Sequence, residues 1–259
     1  MPIHYELGDD HVVLITIDRP ETKNALDFQH FHDLAEAWVA IITGVERCFM
    51  AGADLKTYVP EITALQKQMK EGLTEHPKGW RLRDGTDAVL RKFDLYKPVI
   101  AAINGPAVAG GMEMLGGVDI RLATPNAKFG VMEPARGLFA GGGTTARLPR
   151  QIPFPFAMEF LLTAEAFSAE DALRMGLVNR LVPEESLLDE ARAVARRITK
   201  NAPLAVQATK ESVLRGQLTD LAGAYKIEQE LSMRVFSSED AKEGPKAFAE
   251  KRAPVWQGR

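Results

Sequence analysis

Hydrophobic residues in the first half of the chain form short runs, rich in β-branched side chains, that stop at turn residues. The run Val12–Ile17 ends at Asp-Arg-Pro, Val99–Ile103 ends at Asn-Gly-Pro, and Ile120–Ala123 ends at Thr-Pro. Residues 39–43 are equally apolar. Runs of this length between turn residues are typical of buried strands. We therefore predict four strands in this part of the chain.

A helical spacing of apolar residues separates the first two of these strands. Asp27 can cap a helix that presents Phe28 and Phe31 on one side,. The polar segment 58–87 joins two predicted strands and contains a further predicted helix at residues 62–70, so we interpret it as a lid. Strands that alternate with helices indicate an α/β core.

The final third of the chain is mainly helical. Ser168 begins a capping-box pattern for a helix that Gly176 ends, and residues 177–182 are predicted to form a short strand,. Breaks at residues 201–203 and at Gly216 divide the helices that follow,.

Charge and hydropathy exclude several classes of protein. The 259 residues include 32 Lys plus Arg and 35 Asp plus Glu, which gives a net charge of -3 and a pI near 6.0. This balance argues against nucleic acid or an acidic membrane surface as the main partner. The chain has no run of about 20 apolar residues, and its start, MPIHYELGDD, lacks the features of a secretory signal,. We expect a soluble cytoplasmic protein.

The distribution of reactive side chains limits the available chemistry. Cys48 is the only cysteine, which excludes an internal disulfide and a cysteine-based zinc site,. The last histidine is His76, so the 183 residues after it contain neither His nor Cys. Catalysis in that part of the chain must use carboxylates, hydroxyls, lysines or backbone groups.

Familiar nucleotide-binding motifs are incomplete. Gly105 and Gly110 have the spacing of P-loop glycines, but Met112 and Glu113 follow where that motif needs its phosphate-binding lysine,. Residues 141–146 match a relaxed dinucleotide fingerprint, yet no clear strand precedes them,. Neither match favours a nucleotide site.

Glycine clusters near two glutamates suggest an oxyanion site. Gly110 and Gly111 precede Glu113, and glycines 141–143 follow Glu133 by eight residues. Glycine lets the backbone approach a ligand closely, and a helix start offers free N–H groups. Two carboxylates beside such a site can share proton transfer. From the residues alone, a purely structural role for both glutamates has about equal weight.

Six ordered segments resemble the enoyl-CoA hydratase (crotonase) family along nearly the whole chain. They are RPETKNAL at 19–26, FMAGADL at 49–55, INGPAVAGGMEM at 103–114, DIRLA at 119–123, KFGVMEPARGLFAGGGTTARL at 128–148 and the C-terminal SSEDAKEGPKAFAEKRAPVWQGR. The resemblance implies an α/β fold with a crotonase-like ββα spiral core in residues 1–195. It also implies a C-terminal helical trimerisation region in residues 196–259, and a homotrimer or a hexamer of paired trimers.

The resemblance also implies the catalytic groups. In the family, two backbone N–H groups form an oxyanion hole for the thioester carbonyl, and these positions are Ala53 and Gly110. The two catalytic glutamates map to Glu113 and Glu133, which would hold a water for attack at C3 and protonate C2. The presence of both favours water chemistry, because family members that shift double bonds often keep only one. No metal or redox cofactor is implied, since coenzyme A is part of the substrate.

The resemblance implies that coenzyme A contacts the loop at residues 23–26, the strand end at residues 51–55 and the C-terminal helix, the last in the same or in a neighbouring subunit. For Lys56, a phosphate contact and a solvated side chain are about equally favoured. The predicted CoA-binding residues are Lys23, Ala25, Ala51, Asp54, Leu55, Lys56, Phe248 and Lys251.

Some positions depart from the family pattern. Ala109 replaces a common third glycine, and residues 134–136 and 139–140 differ from typical hydratases, which leaves the acyl group open. The segment between Asn24 and Trp38 lacks about ten residues against the loop lengths expected there.

Three functions remain possible from the sequence. The first is a hydratase of 2-enoyl-CoA thioesters in fatty acid metabolism. The second is another enzyme on the same scaffold, such as an isomerase, a carnitinyl-CoA-type dehydratase or a carbon-carbon lyase. The third is a non-catalytic acyl-CoA binder or an RNA-binding relative, against which the two glutamates and the acidic pI argue.

Overall fold

A computed structural model describes residues 3–24, 39–53, 55–56, 60, 63–64, 67, 70–72, 89–91 and 95–259. The strands are β1 Ile3–Leu7, β2 Val12–Ile17, β3 Val39–Gly44, β4 Val99–Ile103, β5 Ala107–Val108, β6 Ile120–Ala123, β7 Lys128–Gly130, β8 Phe167–Ser168 and β9 Arg180–Leu181. The α-helices with described bounds are α1 Gly110–Leu115, α2 Thr144–Gln151, α3 Phe154–Thr163, α4 Ala169–Arg174, α5 Leu187–Thr199, α6 Pro203–Gly216, α7 Leu221–Phe236 and α8 Glu239–Ala249.

The larger sheet has six strands in the order β1-β2-β3-β4-β6-β9. Only β1 pairs antiparallel; the other neighbours are parallel, with Ile41 opposite Ile100. A parallel sheet needs cover on both faces. On one face, Leu187, Ala191 and Val194 of α5 pack against the sheet, because their spacing places them on one side of that helix,.

The opposite face of the large sheet carries the main core. Ile15, Ile42 and Ile103 point into it together with Phe129 of β7 and Met112 of α1. The three-stranded sheet β5-β7-β8 lies on this side. Helix α1, the element that bears Glu113, is therefore anchored in the core by its own apolar side chains.

Ion pairs join the C-terminal helices to one another. The buried Glu211 of α6 binds Arg215 at 2.7 Å and Arg234 of α7 at 2.6 Å. The chain end folds back, since the Asp240 carboxylate of α8 accepts N–H bonds from Gln257 and Gly258. None of the helices in the described ranges is long and apolar enough to span a bilayer.

The four strands predicted in the first half of the chain are confirmed, as are the helix capped by Ser168 and the breaks at 201–203 and Gly216. Residues 63, 64, 67 and 70 are helical, in agreement with the helix predicted at 62–70. The helix predicted to begin at Asp27 lies outside the described residues. The strand predicted at 177–182 is too long.

Only Arg180–Leu181 form a strand there, because the preceding helix uses the residues before them. The N–H groups of Leu177 and Val178 both donate to the carbonyl of Ala172 in α4. Four strands were not predicted. β5, β7 and β8 have two or three residues each, too few to show a period, and β1 is mostly exposed.

Candidate active site

Helix α1 begins in a tightly packed backbone crossing at the ends of two strands. The N–H of Val108 donates to the carbonyl of Met50 at 3.0 Å, and the N–H of Ala109 donates to Gly130 at 2.9 Å. Ala109 adopts φ 50°, an unusual value for a residue with a Cβ,. A Cβ at Gly111 would lie 2.4 Å from the carbonyl oxygen of Met50, so this position requires glycine.

This crossing brings the two predicted oxyanion-hole segments side by side. A Cβ at Gly52, which has φ +99°, would lie 2.9 Å from the nitrogen of Gly110. The Ala53 segment therefore runs directly beside the start of α1. The Gly110 N–H is the first of its helix and has no carbonyl one turn earlier within the helix to bond,.

The loop that carries residues 51–53 is held by a buried asparagine. Asn24 accepts the N–H of Arg19 and donates to the carbonyls of Val45 and Cys48. It also fixes the neighbouring Lys23 carbonyl, which accepts the Ala51 N–H at 3.1 Å. Asn24 was not among the functional residues predicted from the sequence. Its signal was a polar residue inside a family motif, which does not by itself indicate burial.

The Glu113 carboxylate lies in the first turn of α1 and meets the glycine turn at 141–143. Its Oε1 accepts the N–H of Gly142. A Cβ at Gly142 would lie 2.1 Å from Glu113 Oε2, so a side chain there would displace the carboxylate. Burial, opposed by this hydrogen bond, raises the pKa of Glu113 to about 7, and the negative charge of Glu133 contributes to the increase.

Glu133 follows β7 and directly precedes a short 3-10 turn at Pro134–Arg136. Burial raises the pKa of its carboxyl, against the attraction of nearby N–H groups and Arg136. Its Oε2 is buried and has no hydrogen-bond partner among the described residues. The negative charge of Glu133 helps to raise the pKa of Glu113, so the two carboxyls lie within electrostatic reach of each other although 20 positions separate them in the sequence.

Two arginines beside Glu113 were not predicted. Arg91 donates to the carbonyl of Gly141 at 2.6 Å, and Arg147 of α2 donates to the carbonyls of Val89 and Leu90. The positive charges of both lower the pKa of Glu113 in opposition to its burial. Arg147 belongs to the motif GGGTTARL, but nothing in the sequence indicates its contact with residues almost 60 positions earlier.

A third arginine, Arg121, binds the carboxyl end of α1. The buried Arg121 of β6 donates to the carbonyls of Leu115, Val118 and Leu177 and to the side chain of Gln151. Burial lowers its pKa to about 10. Because a cation near the carboxyl end of a helix is favourable, Arg121 fixes the end of α1 opposite Gly110.

The predicted CoA-binding residues are only partly described. Lys23, Leu55 and Lys56 are exposed, and Ala51 is half-buried next to the oxyanion segment. Ala25 and Asp54 lie outside the described residues. Phe248 is 87% exposed at the end of α8, and the exposed Lys251 follows it. The role of these two residues in a CoA site stays a prediction.

The chain is similar to known CoA-thioester enzymes along nearly its whole length. The family model described as Enoyl-CoA hydratase/isomerase matches residues 8–259. The chain is 39% identical to enoyl-CoA hydratase EchA19 of Mycobacterium tuberculosis over 96% of this chain and 94% of that protein. It is 40% identical to (E)-benzylidenesuccinyl-CoA hydratase of Thauera aromatica, with both chains fully covered.

A third relative has a different activity in its name. The chain is 39% identical to carnitinyl-CoA dehydratase of Proteus mirabilis over 96% of this chain and 95% of that protein. Among solved structures, the enoyl-CoA hydratase of Bacillus anthracis is similar with a TM-score of 0.86 and 31% identity, and both chains are fully covered.

Proposed function

The chain belongs to the enoyl-CoA hydratase/isomerase family and has its crotonase fold, and from this premise we propose that it hydrates a 2-enoyl-CoA thioester. Water adds across the 2,3 double bond to give a 3-hydroxyacyl-CoA, and the reaction is reversible. The observation that carries the proposal is a pair of half-buried carboxyls, Glu113 and Glu133, whose pKa values are raised mainly by burial and of which Glu133 acts electrostatically on Glu113.

The proposed chemistry assigns each group one task. Glu113, with a pKa of about 7, accepts a proton from the water whose oxygen bonds to C3,. The electron pair of the double bond moves to the thioester oxygen, where the N–H groups of Ala53 and Gly110 stabilise the enolate. Glu133 then delivers a proton to C2 as the thioester carbonyl re-forms. A removed oxyanion donor costs about 3 to 4 kcal/mol in comparable enzymes.

Names of the relatives support one alternative reaction. Carnitinyl-CoA dehydratase is as similar to this chain as the named hydratases are. A dehydratase of a 3-hydroxyacyl-CoA uses the same two carboxyls in the opposite direction. The two reactions differ mainly in the acyl group of the substrate. The exposed Phe139, in the loop after Glu133, is a candidate for selecting that acyl group.

We further propose a homotrimer or a hexamer of paired trimers in which the C-terminal helices meet. Eight large apolar side chains are exposed between residues 213 and 248, and contiguous exposed apolar surface marks an interface,. In that assembly Phe248 and Lys251 would reach the CoA site of a neighbour, while Lys23, Leu55 and Lys56 contact the cofactor portion of the substrate within one chain.

The test follows enone absorbance with a panel of thioesters: hydration of enoyl-CoA thioesters, including benzylidenesuccinyl-CoA, should lower it, and dehydration of carnitinyl-CoA should raise it. We expect turnover of part of the panel by the native protein. Glu113→Gln and Glu133→Gln should each slow it by at least about 100-fold. The matched control is Glu159→Gln, an exposed glutamate on α3, which should leave the rate unchanged. Binding of the thioesters without turnover would contradict the proposal.

A further inference from the structure

We propose that Arg91 is a positioning residue for Glu113 that acts through the peptide group between Gly141 and Gly142. This inference rests on the proposed function, in which Glu113 acts as the base. Arg91 donates to the carbonyl of Gly141 and not to the Glu113 carboxylate. It affects how large a fraction of that carboxyl is ionised.

Both ends of one peptide group are engaged. The carbonyl oxygen of Gly141 accepts a bond from Arg91 Nη1 at 2.6 Å, and the N–H of Gly142 in the same peptide donates to Glu113 Oε1. Because the peptide is planar and trans, its C=O and N–H point in opposite directions. The guanidinium and the carboxylate therefore lie at opposite ends of one dipole. No described ion pair joins Arg91 directly to Glu113.

This arrangement strengthens the bond to the carboxylate. A charged donor on a carbonyl withdraws electron density from the peptide, and chains of hydrogen bonds polarise one another. The hydrogen of the Gly142 N–H thereby becomes more positive. It is attracted more strongly to the ionised Glu113 carboxylate than to the neutral carboxyl, so it favours the ionised form. The positive charge of Arg91 adds a direct attraction in the same direction.

The local backbone keeps the two bonds in register. Gly143 has φ +121°, and a Cβ there would lie 3.4 Å from Arg91 Cγ and 3.7 Å from Arg147 Cδ. Arg147 in turn holds the carbonyls of residues 89 and 90, directly before Arg91. The segment 89–91 is thus fixed against the same turn that binds Glu113. The groups that act electrostatically on Glu113 are Glu133, Arg91 and Arg147.

The ionisation of Glu113 is therefore subject to two opposing sets of interactions. Burial and Glu133 favour the neutral carboxyl, whereas Arg91 and the Gly142 N–H favour the ionised form. Removal of the guanidinium should therefore leave a smaller fraction of Glu113 ionised near neutral pH. Since the Arg91 side chain is exposed, its replacement should not prevent folding.

The experiment is an infrared titration of the protonated Glu113 carboxyl band, identified by its loss in Glu113→Gln. Arg91→Met is expected to raise the pKa of Glu113 by about one unit, and Arg91→Lys by less, since the charge is retained. Arg150→Met is the matched control, because Arg150 is also an exposed arginine but, among the described residues, donates to its own helix α2 at Ala146.

The titration separates this inference from the proposed function. The acid limb of kcat/KM for a thioester that the protein hydrates should move with the Glu113 band. An unchanged band in a folded Arg91→Met variant would overturn the role of Arg91 even if hydration persists. A band that moves in a protein that hydrates no thioester would support the role of Arg91 and reject the proposed reaction.

Discussion

At the scale of single residues, the site holds a carboxyl in an environment that does not favour its charge. Glu113 has its pKa raised to about 7, and its principal compensation is one backbone N–H from Gly142. A base used near neutral pH benefits from such a value, since it is partly ionised and still basic. The same environment should make the ionised carboxylate a cost to stability.

That cost is measurable as a pH-dependent gain in stability for Glu113→Gln. A carboxyl with a pKa of about 7 when folded and 4.5 when unfolded binds more protons in the folded state between those values. The free energy of unfolding of the native protein therefore falls as pH rises through this window, by up to roughly 3 kcal/mol. Glutamine lacks the charge and can still accept the Gly142 N–H.

We expect Glu113→Gln to be more stable than the native protein near pH 8 and similar to it near pH 5. Thermal unfolding midpoints at fixed protein concentration measure the difference. Glu159→Gln, on the exposed side of α3, should show no such pH-dependent gain. Equal midpoints of Glu113→Gln and the native protein at both pH values would refute the proposed burial cost.

At the scale of elements, the site is built where short segments from distant parts of the chain meet. Strands β2, β3, β4 and β6 were predictable because each is a hydrophobic run that stops at turn residues. The two-residue strand β5, which starts the turn into α1, was not, since its shape depends on pairing with β7.

The candidate site follows the same division. Glu113 and Glu133 could be located because they lie in family motifs, and glycines 141–143 because their clustering is unusual. The contacts of Arg91 and Arg147 could not, since each joins residues 50 or more positions apart. Such contacts arise only when the sheet sets the path of the chain.

The glycine turn before α2 supplies a sharp test of this construction. Gly142→Ala would place a Cβ 2.1 Å from Glu113 Oε2, whereas a Cβ at the adjacent Gly141 meets no atom of the described residues closer than 3.8 Å. We expect Gly142→Ala to lower kcat/KM by about 100-fold through displacement of the carboxylate. Gly141→Ala should change it by no more than about threefold.

Steady-state rates on a thioester from the hydration panel check this prediction, with circular dichroism to confirm folding. Both variants add one methyl group to the same turn, so a general effect of glycine loss would lower both rates alike. That result would show that the turn does not position Glu113.

At the scale of the whole molecule, the large sheet and the C-terminal helices are mechanically connected. Lys210 of α6 binds the Asp119 carboxylate at 2.6 Å, directly before β6, and the carbonyl of Lys97, just before β4. The Asp119 carboxylate also accepts the N–H of Val99. An interface formed by α6 and α7 would therefore bear on the strand that leads to the oxyanion segment.

The proposed assembly is tested by a charge placed in its expected interface. Phe236 at the end of α7 is 78% exposed, and burial of such a ring in an assembly would contribute roughly 2 kcal/mol per copy,. Phe236→Glu should replace that gain with an unpaired buried charge and dissociate the assembly. Light scattering should then give a mass near the 28.5 kDa of one chain.

Leu7→Glu is the matched control, because Leu7 is 52% exposed on the edge strand β1, far in sequence from the C-terminal helices. It should keep the mass of the native assembly, a multiple of three chains. If Phe248 and Lys251 act in a neighbour's CoA site, dissociation by Phe236→Glu should also raise KM for the thioester more than it lowers kcat. A native mass of one chain, or an intact Phe236→Glu trimer, would show that these apolar residues serve another contact.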